Sequence, residues 1–163
     1  GLNVLGFANS DYLEVSLPST STPFTMFIAL VEDDFNSGAR DIIAANTTST
    51  ARVTGLSDQY LLVNGTSLFE GGNNRDEVNF KILTAVFNGV NSAIYVDGNL
   101  VGAGDAGSNT LSGLHIGANS SGSSGLEGAI GEYAFFNTAP STADMNAIGN
   151  YLADKWGTTW TDI

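Results

Sequence analysis

The sequence predicts an all-β protein, an antiparallel β-sandwich or jelly roll with one C-terminal α-helix. Apolar residues fall in short runs broken at close intervals by turn-forming residues. Sixteen Ser, fifteen Thr, sixteen Asn and twenty Gly supply those breaks. Helical periodicity occurs in one place, near the end of the chain. Many short strands with a late helix pack as layers of antiparallel sheet, not as an α/β fold.

The elements follow in order. Residues 12–17 alternate in their second half and stop at Pro18. Residues 24–31 (FTMFIALV) are apolar on both faces apart from Thr25, the pattern of a strand covered on both sides. A loop over 32–38 follows. Residues 41–45 form a short apolar strand. Strands at 52–56, 59–63 and 66–69 are joined by Ser57-Asp58 and Asn64-Gly65, both hairpin signals. A polar loop spans 71–76. Residues 78–88 alternate as a longer strand. Residues 93–96 and 100–101 flank Asp97-Gly98-Asn99, which tolerates the positive φ of a type I′ turn. A loop over 104–112 leads to a strand at 113–118. The run 119–125 (NSSGSSG) is a low-complexity, linker-like loop too short to separate domains. A last strand covers 126–136. The helix is expected over 142–156, with Ser141 as N-cap, Asp144 three residues on, and Met145, Ile148, Leu152 and Trp156 on one face. Gly157 ends it in the left-handed conformation. Trp160 is expected to fold back onto the body.

The length suits one domain spanning 1–163, able to build a core without staples. No Cys is present, which excludes disulfides, thiolate metal sites and cysteine nucleophiles. One histidine, His115, excludes sites needing two imidazoles. Seventeen acidic residues against five basic ones give a net charge of −12. That leaves no basic footprint for nucleic acid or for an anionic membrane surface. No apolar run approaches a membrane span. The chain begins at Gly1 without methionine or signal peptide, the form of a processed product or excised domain.

Certain segments carry a family resemblance. They are Tyr95-Val96-Asp97-Gly98, Leu114-His115-Ile116-Gly117, the run 128–137 (GAIGEYAFFN), and the Ser-initiated helix ending Tyr151-Leu152-Ala153-Asp154-Lys155-Trp156-Gly157. In this order they resemble the laminin-G-like, pentraxin-like members of the concanavalin A-like lectin/glucanase superfamily. The opening run 7–15 (FANSDYLEV) is similar to that family's first strand, and residues 33–77 match nothing. The resemblance implies a jelly-roll sandwich of the kind common in secreted bacterial and phage proteins, with a lectin-like role. It also implies that a loop near the sandwich rim could hold calcium.

A glycoside hydrolase needs two carboxylates flanking the scissile bond. No Glu-x-Asp-x-Glu pattern places them on one strand face. Glu32-Asp33-Asp34 is contiguous, and Glu132 stands alone among apolar neighbours. His115, between Leu114 and Ile116, reads as a packed residue, and no Gly-x-Ser-x-Gly elbow accompanies it. Calcium wants converging carboxylate and carbonyl oxygens. The candidate donors are Asp33, Asp34 and Asn36, then Asn73, Asn74 and Asp76, then Asp105 and Asn109. The plainer reading of each group is a solvated loop. Glycan binding wants rings against sugar faces and amides or carboxylates for hydroxyls. Tyr60, Phe69, Tyr95 and Trp160 are rings near polar loops, with Asn64, Asn73, Asn74 and Asp76 as polar groups. Trp156 belongs to the core. Asn-x-Ser/Thr sequons at Asn46, Asn64 and Asn119 are expected by chance in such a composition.

The expected function is a non-catalytic, lectin-like binding or adhesion module of a secreted, cell-surface or virion protein, recognising a glycan or surface protein through rim loops, with calcium as a candidate cofactor. The rival is a structural subunit of a virion, fibre or filament whose partners are its own copies. A glycoside hydrolase stands third.

Overall fold

A computed structural model describes residues 1–8, 10–33, 38–46, 51–56, 59–65 and 75–163, together with the backbone of 68–73. Among the described residues the chain forms β1 (Leu5–Phe7), β2 (Leu13–Thr20), β3 (Phe24–Glu32), β4 (Arg40–Ala45), β5 (Ala51–Leu56), β6 (Gln59–Asn64), β7 (Leu68–Asn73), β8 (Lys81–Phe87), β9 (Ser92–Val96), β10 (Asn99–Gly104), β11 (Leu111–Ile116), β12 (Gly128–Phe136) and α1 (Thr142–Trp156). The strands make two six-stranded sheets, ordered β1-β12-β3-β8-β9-β10 and β2-β11-β4-β5-β6-β7. Every ladder within them is antiparallel. The predicted antiparallel sandwich with a C-terminal helix is what the chain forms.

The apolar patterning explains the layers. On β3, Phe24, Met26, Ile28 and Leu30 join the core between the sheets, with Leu83, Ala85 and Phe87 of β8 and Ile43, Val53, Leu62 and Leu114 of the second sheet. The alternate residues Phe27 and Ala29 face outward and are also buried, beneath Met145 and Leu152 of α1. This is why residues 24–31 are apolar on both faces. Burying one such side chain contributes roughly 1.5–3 kcal/mol, so a strand covered twice holds helix and sandwich together.

The helix begins and ends where its sequence signals lie. Ser141 Oγ accepts from Asp144 N at 3.2 Å and donates to Asp144 Oδ2 at 2.7 Å. Gly157 adopts φ 70°, and Thr158 N donates to Ala153 O at 3.1 Å. The tail then folds back. Trp160 lies against Gly149 of the helix, a packing that leaves no room for a Cβ there. Its Nε1 donates to Asn146 Oδ1 at 3.1 Å. Thr161 N reaches Asp97 O at 2.9 Å.

Asp97 and Gly98 both have positive φ, 51° and 81°, the turn that their residue types predict. The Asp97 carboxylate also accepts from Ile82 N at 2.8 Å and from Lys81 Nζ at 3.1 Å.

Some boundaries differ from the expectation. β8 starts at Lys81, not 78, because Asp76 Oδ1 captures the amides of Val78 (2.8 Å) and Asn79 (3.1 Å) in a local turn. β7 runs on through Gly71, Gly72 and Asn73, expected as loop, because its backbone pairs with β6 in the register Tyr60↔Gly71 and Gln59↔Asn73. The expected strand at 113–118 lies at 111–116, and Ser57-Asp58 falls outside the described residues.

Candidate functional site

α1 covers the outer face of the first sheet, and among the described residues no helix covers the outer face of the second. Strand alternation determines what that open face carries. Ile43, Val53 and Leu114 point into the core. Their neighbours Ala44, Arg52 and His115 therefore point outward. The ladders align Glu14 opposite His115, His115 opposite Ala44, and Ala44 opposite Arg52. One cross-strand row thus carries a carboxylate, an imidazole, a methyl group and a guanidinium, of which His115 and Ala44 are buried and the charged Glu14 and Arg52 are exposed.

The surroundings of that row are built, not loose. His115 Nδ1 lies 2.9 Å from the Asn119 carbonyl. A carbonyl only accepts, so Nδ1 carries the proton and donates. The Tyr12 ring lies against His115 with centroids 4.5 Å apart and 34° between planes. Gly122 abuts the Tyr12 ring and leaves no room for a Cβ. Tyr12 is nonetheless 43% exposed, so a held ring still offers area to solvent. Asn46 Nδ2 donates to Glu14 Oε1 at 3.3 Å. Asn46 Oδ1 is a buried acceptor with no partner among the described residues. The stretch 119–125, read as linker-like, is a formed turn. Asn119 Oδ1 accepts from Ser121 N (2.9 Å), Ser121 Oγ (2.8 Å) and Ser123 N (2.9 Å).

Between this turn and the sheet lies a recess of about 40 Å³, lined by Ala44, Ala45, Ala51, Arg52, Asn119 and Ser120. Beyond Arg52, Asp41 accepts the Thr54 hydroxyl. Burial raises the Asp41 pKa, against the lowering by Thr54 and by the Arg52 charge. Larger grooves of about 390 and 270 Å³ meet at Phe136, near the start of α1. Their lining is mostly apolar, and two of the polar groups there, Ser141 and Asp144, are spent on capping the helix. The open face of the second sheet instead sets the exposed Tyr12 ring beside Glu14 and Asn46, with the exposed Arg52 further along the row.

The structure scatters the residues chosen from sequence. Tyr60 is 1% exposed and donates its hydroxyl to Glu32 Oε1 at 3.0 Å inside the sandwich. It presents no ring to solvent, which corrects its choice as a platform; the polar signals beside it in sequence belong to hairpin turns. Asn64 is fully buried, its Nδ2 donating to Asn109 O at 3.2 Å, which likewise removes it from a ligand surface. Tyr95 packs under α1 with Trp160 and Trp156. Asp76 is occupied by Val78 and Asn79 and lies 3.7 Å from Lys81 Nζ. Asn73 ends β7, where only its backbone is described; Asn74, Asp34 and Asn36 fall outside the described residues.

Asp33 follows β3 at one end of the sandwich. Asp105 follows β10 at the other end, since Gly104 pairs with Ser92 at the Phe24–Phe87 end of the ladder. Asp105 Oδ1 accepts from Gly107 N at 2.8 Å. The Asp33 and Asp105–Asn109 loops therefore cannot share one ion. Among the described residues no three His, Asp or Glu side chains gather to hold a metal. Glu132 is bound by Lys155 Nζ (2.7 Å), Tyr151 hydroxyl (3.2 Å) and Trp156 Nε1 (3.4 Å), fastening α1 to β12. The open-face group of Tyr12, Glu14, Asn46 and Arg52 was not singled out from sequence. The one available signal was the alternation on β2 and β5, which places polar side chains opposite core residues.

The family model Laminin_G_3, of the concanavalin A-like lectin/glucanases superfamily, matches residues 8–146. No curated protein sequence matches the chain. Among solved structures the chain is similar to Trypanosoma rangeli sialidase in complex with the inhibitor DANA, with TM-score 0.62 and 15% identity over 84% of this chain and 24% of that one. It is similar to a Bacteroides ovatus ATCC 8483 protein described as a candidate carbohydrate-binding protein, with TM-score 0.63 and 15% identity over 80% of this chain and 43% of that one. It is also similar to botulinum neurotoxin type C, whose cell entry is described as dependent on two ganglioside molecules, with TM-score 0.56 and 14% identity over 82% of this chain and 36% of that one. The chain spans less than half the length of each of these. At such identities the likeness is one of fold.

Proposed function

The chain belongs to the concanavalin A-like lectin/glucanase superfamily, and from that premise we propose that it is a non-catalytic carbohydrate-binding module of a secreted, cell-surface or virion protein. The observation that carries the reading is the open face of the second sheet. There an exposed ring, Tyr12, is braced by His115 and Gly122 beside Glu14 and Asn46. A sugar needs such a surface: an aromatic ring for its C–H face, and fixed donors and acceptors for its hydroxyls. Bracing the ring beforehand lowers the entropy cost of binding. Neighbours described by carbohydrate or ganglioside binding support the same reading. A binding role without catalysis fits the engagement of Glu132 by three donors on the helix side.

A glycan array followed by saturation-transfer NMR tests it. The expected result is a saturable glycan signal that Tyr12→Ala weakens while the melting temperature stays near that of the parent. Release of reducing sugar from the bound glycan, or no signal on any glycan, would overturn the proposal.

A second reading is a self-associating structural subunit of a virion, fibre or filament. It is favoured by the exposed apolar side chains Leu2, Val4 and Leu5 at edge strand β1 and Leu13 on edge strand β2. Sedimentation at rising concentration separates the two: the module stays one size, and the subunit grows.

A further inference from the structure

The five cations of the chain differ in how their charge is spent. Arg40 Nη2 lies 2.9 Å from Glu127 Oε1. Arg75 is buried on Glu32, with its Nε 2.9 Å from Oε1. Lys81 Nζ lies 3.1 Å from Asp97 Oδ2, and Lys155 Nζ 2.7 Å from Glu132 Oε2. Arg52 is the exception. Its Nη1 is 3.9 Å from Asp41 Oδ1, beyond hydrogen-bond distance, and its side chain is 44% exposed. Asp41 meanwhile accepts from Thr54. The guanidinium therefore keeps N–H donors that no described residue takes up.

Arg52 also lines the recess of the open face. The small side chain of Ala44 faces the recess, Ala45 and Ala51 border it while their own side chains belong to the core, and Asn119 and Ser120 give it a polar wall. Its volume is about 40 Å³. One water molecule needs roughly 10–15 Å³, so the recess admits a group with two oxygens and excludes a sugar ring. A planar guanidinium beside such a space suits a carboxylate, which it can grip with two parallel N–H bonds.

Resting on the carbohydrate reading above, we propose that the ligand is a carboxylated sugar whose carboxylate enters this recess against Arg52 while its ring lies on the open face. The guanidinium selects the acid, and Tyr12, Glu14 and Asn46, up to three strand positions away in the sheet, serve neighbouring sugars of the same glycan.

Matched pairs of oligosaccharides test this by calorimetry: one ending in glucuronic acid and one ending in N-acetylneuraminic acid, each against its carboxyl-reduced form. At least one acid is expected to bind about tenfold or more tighter than its reduced partner, the scale of a charge-assisted pair. Arg52→Gln removes that preference and Arg52→Lys keeps part of it. Both variants should melt close to the parent, since Arg52 is 44% exposed and stands beyond hydrogen-bond distance of Asp41, whose carboxylate is held by Thr54. A preference that survives Arg52→Gln, or equal binding of acid and reduced forms, overturns the acidic-sugar proposal. If those sugars still depend on Tyr12, the carbohydrate reading stands without it. Absence of binding by every glycan removes both.

Discussion

Tyr60 of the second sheet donates its hydroxyl proton to Glu32 of the first, 3.0 Å away, and Arg75 completes the buried cluster from the segment before β8. Glu32 is 1% exposed and the Arg75 side chain is fully buried. The guanidinium also occupies the space where a Cβ on Gly55 would stand, at 2.6–2.8 Å. Polar partners thus join the two sheets at one end of the sandwich.

Glu32→Ala is expected to destabilise by about 3–5 kcal/mol, because it leaves a buried guanidinium without its counter-charge. Tyr60→Phe should cost about 1–3 kcal/mol, since it removes one donor from a buried carboxylate. Urea denaturation of both variants checks the order. A Glu32→Ala loss no larger than that of Tyr60→Phe would refute the buried-pair account.

The same cluster governs the Tyr60 hydroxyl. Burial, and after it the Glu32 charge, push its pKa well above the ordinary tyrosine range. Ultraviolet titration of the folded protein should therefore show one tyrosine fewer in Tyr60→Phe only after alkaline unfolding. A loss of amplitude before unfolding would mean that Tyr60 is accessible.

Burial raises the Asp41 pKa above the ordinary aspartate value of 3.8. The folded form thus holds its proton to higher pH than the unfolded form does. Between 3.8 and the folded value the native state binds more protons, so stability falls as pH rises. Asp41→Asn should raise the melting temperature at pH 7 relative to the parent, and the gain should vanish at about pH 3, where both forms are neutral. A gain that persists in acid would point away from ionisation.

Glu132 has the opposite sign. Burial alone would raise its pKa, but the hydrogen bonds from Lys155, Trp156 and Tyr151, together with the Lys155 charge, lower it below the usual carboxylate range. Its stabilising contribution is present above the unfolded pKa and is lost as pH falls through the folded value. Glu132→Gln should lower the melting temperature at pH 7 and make little difference in strong acid, as melting curves across pH would show.

Gly149 sits within α1 with the Trp160 ring against it. Alanine is the better helix former by about 1 kcal/mol. Gly149→Ala should nevertheless destabilise, because its methyl group displaces the indole, and overpacking costs roughly 1–3 kcal/mol. Tryptophan fluorescence should shift to the red. A more stable variant with unchanged emission would show that the tail is not fixed there.

The layers were legible because they are written in local patterns. Residues 24–31 announced a strand covered twice, Ser141 and Gly157 bracketed the helix, and Asp97-Gly98 marked its own turn. The site was not legible in this way. Tyr60 and Asn64 stood beside loop signals, yet long-range pairing put both inside. Glu32 and Arg75 lie 43 residues apart in the chain, and no spacing rule links such distant partners. Tyr12, Glu14, Asn46 and Arg52 come together only once β2, β11, β4 and β5 take their order in the second sheet. Strand order rests on burial summed over the whole chain, and short segments do not encode it.

The docking of Thr161 on Asp97 bears on how the protein can be handled. The final residues are clamped on the helix-bearing side, away from Tyr12 and Arg52. Tethering the molecule to a sensor chip or bead by a C-terminal tag should therefore leave the uncovered sheet pointing outward.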